Sequence, residues 1–473
     1  MRKLLLAFFL LASAGITVAV LWMFFNSNEI KKIVVTEVSK KITQSTAEAN
    51  LLQSVLGFDR SHTYLFLFLN NTELRPAGGF VGSYAVVSVE QGIPRLIKVE
   101  GTEILDNTAP NFESTPPDAL KTYLGINKWS FRDSNWNPDF ALSGAKALEL
   151  YKKENGVAAN DVEGVIGFTP TVVEDFLRII GPIQLNGEEF NADNFTEKLE
   201  YEVEYGFAKR GITFSERKRM LADLTAALLS KIKIDLIKNS PAYWQMGERL
   251  LKEKQIVVYS PNSDWQKMLI SKDWAGKMKK NDSDYLLWVD ANLGALKTDV
   301  AIKRSLSLVV NKKDDNYEAR AVMQYEHTGK MNWRISRYRT YSRIFVPLGS
   351  KIIKVEGKIK NAKGIDGVFD QGIENGRQWF GAFITVEPGQ TGKLEFVYAL
   401  SPQIVKQIDE GSYDLQIQKQ IGTLAPRLTL NVDFDKKIIT TVPNKTSNQN
   451  NDRQYNLVTD LSQDRTFKLG FQR

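Results

Sequence analysis

Apolar and polar positions follow different periods along the chain, and the changes of period divide it. Leu4 to Phe25 runs 22 residues without a charge. A helix of that length, rising 1.5 Å per residue, crosses a hydrocarbon core of about 30 Å. Ala12-Ser13-Ala14 has the A-x-A form of a leader cleavage site, so a cleaved signal peptide is the competing reading. Cleavage there would leave a further apolar stretch behind, and an uncleaved signal anchor is expected. Beyond it, Ile30, Val34, Val38 and Ile42 recur every four residues between polar ones, as in an amphipathic stalk helix. A second helical stretch, Ala47 to Leu56, stops at Gly57.

The period then shortens. Tyr64 to Leu69 is a continuous apolar run that predicts a strand buried on both faces. Strands at Tyr84 to Val89 and Arg95 to Glu100 follow, then a helix Gly144 to Glu154 with Asp139 or Ser143 as its cap. Val162 to Phe168 is a strand, Thr171 to Ile180 a helix, and Phe195 to Lys231 mostly helical. Ile256 to Tyr259 and Tyr285 to Val289 are read as late strands of the same layer, with a helix around Trp265 to Met278 between them. From about Thr298, eight short alternating runs separated by Gly, Asp and Asn predict an antiparallel sandwich: Ser305 to Val310, Tyr317 to Tyr325, Tyr341 to Val346, Ile352 to Ile359, Gly381 to Val386, Leu394 to Ala399, Tyr413 to Lys419 and Arg427 to Val432. The predicted fold class is α/β, a mixed sheet with flanking helices, plus a C-terminal all-β sandwich and a single N-terminal transmembrane helix. The expected boundaries are a cytoplasmic tail 1–3, an anchor 4–25, a helical stalk 26–58, an α/β domain 59–297, a sandwich 298–437 and a polar tail 438–473.

Composition narrows the chemistry. The 473 residues contain no cysteine and two histidines, His62 and His327. Thiolate sites, a cysteine nucleophile, disulfides and multi-histidine metal cages are thereby excluded. The 62 Lys+Arg against 55 Asp+Glu give a formal +7, a mild preference for anionic partners. Arg2 and Lys3 before the span nearly balance Lys31 and Lys32 after it. Long domains translocate largely regardless of charge, so the bulk is placed outside the cytoplasm of a single-pass cell-membrane protein.

Two polar loops hold the candidate chemistry. Asn70-Asn71-Thr72-Glu73-Leu74-Arg75-Pro76-Ala77-Gly78-Gly79 leaves the first strand, and Arg132-Asp133-Ser134-Asn135 precedes the helix. Gly78 and Gly79 permit positive φ and close approach of a ligand to the amides, or simply build a turn. Guanidinium forks bind phosphate oxygens bidentately, which ammonium groups do not. Asn70, Asn71 and Asn135 bind a ligand on one reading and bond the loop backbone on the other. Trp333 to Arg343 packs four arginines among three aromatics. It suits an anionic wall polymer or a lipid headgroup, with a plain exposed face as the alternative. Nucleic acid is not expected as a partner.

The strings FLNNTELRPAGGFVGSY, FRDSNWNPDFALSGAKALELY, DVEGVIGFTPTVVEDFLRIIGPI, ANLGALKTDV and YSRIFVPLGS resemble the bacterial family called domain of unknown function 4012, over about Leu52 to Asp433. That family is typically membrane-anchored and extracytoplasmic, with no established biochemical role. The order of parts is also similar to the LytR–CpsA–Psr (LCP) proteins, which attach anionic glycopolymers from polyprenyl-pyrophosphate carriers to peptidoglycan. This second resemblance implies that Arg75, Arg132, Arg210, Arg217 and Arg219 bind pyrophosphate, with Asn70, Asn71, Gly78, Gly79 and Asn135 beside them. It also implies catalysis by Arg132 and Asp133, with Mg²⁺ held by Asp133 or Glu73. Pro76 and Ala77 follow Arg75 where the LCP pattern has a carboxylate, which puts the metal in doubt. A non-catalytic envelope protein that contacts cell-wall polymer or a surface protein is the alternative.

Overall fold

The structure, a computed structural model, describes residues 46–213, 219–314, 316–357, 369–444 and 452–472. The expected span at 4–25 and the stalk up to residue 45 lie outside them. Among the described residues no helix is long and apolar enough to cross a membrane.

In the first half the strands are β1 (His62–Asn70), β2 (Phe80–Glu90), β3 (Ile93–Gly101), β4 (Val162–Phe168), the short hairpin β5 (Ile183–Leu185) and β6 (Glu188–Phe190), and β7 (Ile256–Tyr259). The helices are α1 (Thr46–Val55), α2 (Thr102–Thr108), α3 (Asp118–Leu124), α4 (Phe140–Lys153), α5 (Pro170–Ile180), α6 (Phe195–Tyr201), α7 (Arg219–Lys252) and α8 (Ser263–Ser271). The main sheet has the order β3-β2-β1-β4-β7, parallel only between β1 and β4. Alternation along β1 explains its unbroken apolar run, because Leu65, Leu67 and Leu69 pack with Phe140, Ala147 and Leu148 of α4. The alternate residues Tyr64, Phe66 and Phe68 face α5, α7 and the hairpin. The Asp139 carboxylate caps α4 by accepting from Ala141 N, as its position before the helix predicts. Pro170 opens α5, and Gly181 at φ +75° closes it.

The second half holds β8 (Asp284–Asn292), β9 (Ile302–Lys313), β10 (Asn316–His327), β11 (Tyr338–Val346), β12 (Lys351–Gly357), β13 (Asp370–Glu374), β14 (Arg377–Val386), β15 (Thr391–Ala399), β16 (Ser412–Gln418), β17 (Arg427–Asp433), β18 (Ile438–Val442), β19 (Gln454–Asp460) and β20 (Arg465–Phe471), with helix α9 (Pro402–Asp409). They form a six-stranded sheet, β12-β15-β10-β9-β17-β19, and a seven-stranded sheet, β13-β14-β11-β8-β16-β20-β18. One apolar core unites side chains of both, with Trp288 meeting Phe396 and Phe380 meeting Tyr398 across it.

All eight strands expected in this half are present, and three placements are corrected. Tyr285 to Val289 does not close the first sheet. It is the middle of β8, paired with β11 and β16 and buried at all nine positions. Its second face is covered by Met278 and Phe345. The stretch read as a polar tail, 438–473, supplies β18, β19 and β20, with Tyr455, Phe467, Leu469 and Phe471 in the core. The helix expected to reach Met278 stops at Ser271, where Asp273 turns at φ +63°.

Candidate functional site

The loop Asn70 to Phe80 and the tight turn Phe131–Trp136 converge, as the sequence pattern suggests, but on each other. The Asn135 side chain donates to Gly79 O at 2.6 Å, and Asn135 O accepts from Ala77 N at 3.2 Å. Asn70 donates to the buried Glu200 carboxylate at 2.9 Å and accepts from the Thr72 hydroxyl at 2.8 Å. Asn71 reaches into the second half and donates to Gly422 O at 2.9 Å. A Cβ on Gly79 would sit 2.3 Å from the Asn70 carbonyl, so this glycine serves the protein's own backbone. Gly78, at φ +123°, lies against Leu69 and Ile421.

Arg75 is 3% exposed. Its guanidinium donates to Asn292 O at 2.5 Å and to the Glu73 carboxylate at 3.1 Å, and lies over the Phe80 ring. Asp133 faces it at 3.8 Å, an ion pair too long for a hydrogen bond, so Arg75 Nε and Asp133 Oδ1 are buried without one. Burial raises the Asp133 carboxyl above its usual range, with Arg75 and Arg132 pulling the other way. Burial raises Glu73 too, against the pull of Arg75. Gln420, from the second half, donates to the carbonyls of both Arg75 and Asp290.

The other basic residues stand elsewhere. Arg132 is half-buried and paired with Asp106, beside Glu154. Burial, and then Asp106, pushes the Glu154 carboxyl up to about 8. Arg210 pairs with Glu202 and touches Met220. Arg219 opens α7, and Arg217 lies outside the described residues. The expected clamp is therefore corrected for Arg75. It is closed inside a polar seam that joins the two halves, where its guanidinium already meets Asn292 O, the Glu73 carboxylate and the Phe80 ring. The arginines after Trp333 are not one exposed face either. Arg343 is buried among Trp136, Phe345 and Trp379, and Arg334 pairs with Glu200.

Glu73 and Asp133 do not make a magnesium set, since both face the Arg75 cation and an oxygen cage needs further hard ligands. Among the described residues no group of three or more His, Cys, Asp or Glu is placed to hold a metal ion.

A feature that no residue motif marks lies on the other face of the main sheet. An apolar cavity of about 290 Å³ separates β1, β2, β3 and β4 from α5, α6, α7 and the β5–β6 hairpin. Phe66, Phe68 and Phe168 form its floor in edge-to-face contacts. Ala85, Val87, Leu96 and Val99 continue that floor, and Phe176, Leu199, Leu224 and Leu228 form its roof. Among the described residues no charged side chain lines it. Leu96, on the edge strand β3, is 48% exposed and stands at its rim. The signal available in the sequence was the three phenylalanines on one face of two adjacent strands. What hid the cavity is that long apolar residues ordinarily fill such a layer.

Comparison with known proteins adds the following. No curated protein matches the chain. The M1 zinc metallopeptidase of Deinococcus radiodurans is 13% identical over 38% of this chain and 43% of that one, with a TM-score of 0.22. Native leukotriene A4 hydrolase of Saccharomyces cerevisiae is 6% identical over 36% and 29%, at 0.23. The Lin1025 protein of Listeria innocua is 11% identical over 46% and 78%, at 0.25. The chain thus spans less than half of the metallopeptidase and the hydrolase, and likenesses this slight bear on neither fold nor activity. The family model for a protein of unknown function, DUF4012, matches residues 59–203, the segment that holds both signature loops and β1 to β4. The match stops short of the expected Leu52 to Asp433, and the strings ANLGALKTDV and YSRIFVPLGS lie beyond it.

Proposed function

We propose that this chain is a membrane-anchored, extracytoplasmic cell-envelope protein that binds the apolar chain of a polyprenyl-pyrophosphate-linked anionic glycopolymer and does not catalyse its transfer. The observation that carries this reading is the uncharged cavity between the main sheet and its helices. Its apolar lining suits a segment of a branched hydrocarbon chain, which gains about 0.8 kcal/mol for each CH₂ it buries. An LCP-like ancestry for the first half accords with a sheet flanked by helices on both faces and with a greasy groove between them. Residues 4–25 would keep the protein at the membrane where such lipids reside, and the single span would leave the bulk outside.

The transferase alternative loses support at the residue level. Transfer needs cationic and acidic groups aimed at the pyrophosphate, whereas Arg75 and Asp133 are turned inward upon each other. The test is a titration of the full chain in phospholipid nanodiscs with a fluorescent polyprenyl pyrophosphate. Saturable binding is expected, weakened about tenfold or more by Ala85→Trp, which fills the floor, and by Leu96→Arg, which charges the rim. Binding unchanged in both variants, or absent from the unaltered chain, sinks the proposal. Turnover of the pyrophosphate that depends on Arg132 would restore the enzyme reading.

A further inference from the structure

The aromatic residue that opens the arginine-rich run, Trp333, belongs to neither the seam nor the cavity. It reaches from the second half to α6 of the first, where its ring meets two tyrosines. Tyr201 and Trp333 lie 5.5 Å apart at 72°, Tyr205 and Trp333 5.5 Å apart at 77°. The tyrosines are 6.1 Å apart at only 31°. The three rings therefore make a corner, with two nearly aligned faces meeting one wall.

The corner is held from both sides. After α6 the chain continues as a π-helical turn, Glu202–Gly206, a rare form often found at functional sites; Tyr201 precedes it and Tyr205 lies within it. Lys209 donates to the Tyr201 hydroxyl at 2.6 Å. On the opposite side, the Asn332 carboxamide accepts from Arg334 N and Ile335 N at 2.8 Å, which fixes the turn carrying Trp333. The buried Arg334 then anchors that turn on Glu200 at 2.6 Å. Although so fixed, the corner is open to solvent, with Tyr205 47% and the adjoining Met331 65% exposed.

We propose that Tyr201, Tyr205 and Trp333 bind a pyranose ring of a cell-wall saccharide. A sugar ring has an apolar C–H face and a rim of hydroxyls. It fits an aromatic face, with an adjoining wall and polar groups at the edge. Lys297 pairs with Glu204 and the buried Arg334 with Glu200, while Lys209 stands on the Tyr201 hydroxyl. Lys297, Glu204 and Lys209 offer hydrogen-bonding partners to the hydroxyl rim. A membrane contact fits less well. The corner adjoins Glu200 at the Asn70 end of β1, whereas α1, which follows the proposed anchor, packs at the other end through Tyr64 Oη and Val55 O. Six rises of about 3.3 Å separate Tyr64 from Asn70 by about 20 Å. The inference takes its source of saccharide from the envelope location proposed above and is independent of the cavity.

The experiment is calorimetric titration of the full chain in nanodiscs with the tetrasaccharide of N-acetylglucosamine, alongside co-sedimentation with phosphatidylglycerol vesicles. Binding is expected to weaken at least about tenfold in Trp333→Ala and in Tyr205→Ala, and to survive Tyr205→Phe, which keeps the ring. Polyprenyl binding retained in both alanine variants shows that the fold is intact. A cavity that binds no lipid leaves the saccharide titration unaffected. No saccharide binding by the unaltered chain, or equal binding by the alanine variants, overturns the inference. Vesicle binding that the alanine variants lose, without saccharide binding, overturns it in favour of a membrane contact.

Discussion

Arg75 decides between two accounts of the signature loop, and its surroundings assign it to structure. A buried guanidinium held by Glu73, Asp133 and Asn292 O leaves two buried carboxylates without their cation when it is removed. Arg75→Ala is therefore expected to cost about 3–5 kcal/mol, read as a lower denaturant midpoint of the full chain. A ligand-binding arginine on the surface would instead abolish binding with little change in stability. Glu154 makes a pH-dependent prediction. Its folded-state pKa lies above its ordinary value, owing to burial and Asp106. Its stabilising contribution is complete below the ordinary carboxylate range and is lost as pH rises towards about 8. Glu154→Gln should thus gain melting temperature relative to the unaltered chain between pH 5 and pH 9, and a constant difference would contradict this. At Gly79, a methyl group has no room beside the Asn70 carbonyl, and Gly79→Ala is expected to destabilise by about 1–3 kcal/mol.

At the scale of elements, the final two strands give the sharpest test. Phe467, Leu469 and Phe471 of β20 alternate into the core, and Tyr455 of β19 meets Phe467. Deletion of 452–473 should abolish cooperative unfolding of the full chain, whereas loss of a mere tail would leave the melting curve unchanged. The alternation of Phe467, Leu469 and Phe471 was present in the sequence, but the polar run Thr446 to Asp452 drew the whole segment into a tail. Strands were otherwise legible from their apolar runs: β1, β4 and β7 stand where buried runs placed them, and the eight expected strands of the second half where alternation did. Partnership between strands was not legible. Nothing local in Asp284–Asn292 tells whether it pairs with β7, near in sequence, or with β11 and β16, far along the chain. The signature residues were legible as a group, since Asn70, Arg75, Gly79, Asp133 and Asn135 do converge. Their role was not, because motif spacing is silent on which way a guanidinium turns.

For the whole molecule, the seam and the cavity divide the work. Asn71 to Gly422, Gln420 to Arg75, and Gln255 to Thr423 tie the first half to the second, so the sheet that floors the cavity is braced from behind. The cavity opens at the β3 edge, away from that bracing, where Leu96 is exposed. A rigid floor under a helical roof allows a hydrocarbon chain to enter with little change in the sheet. The central claim is that this space holds such a chain. It is tested most directly by photocrosslinking the full chain in nanodiscs with a photoactivatable polyprenyl phosphate, followed by peptide mapping. The account predicts crosslinks on the peptides that carry Phe66 and Phe68, Leu199, and Leu224 to Leu228, competed away by unlabelled polyprenyl phosphate. Crosslinks confined to residues 4–25, or spread without competition, would contradict it.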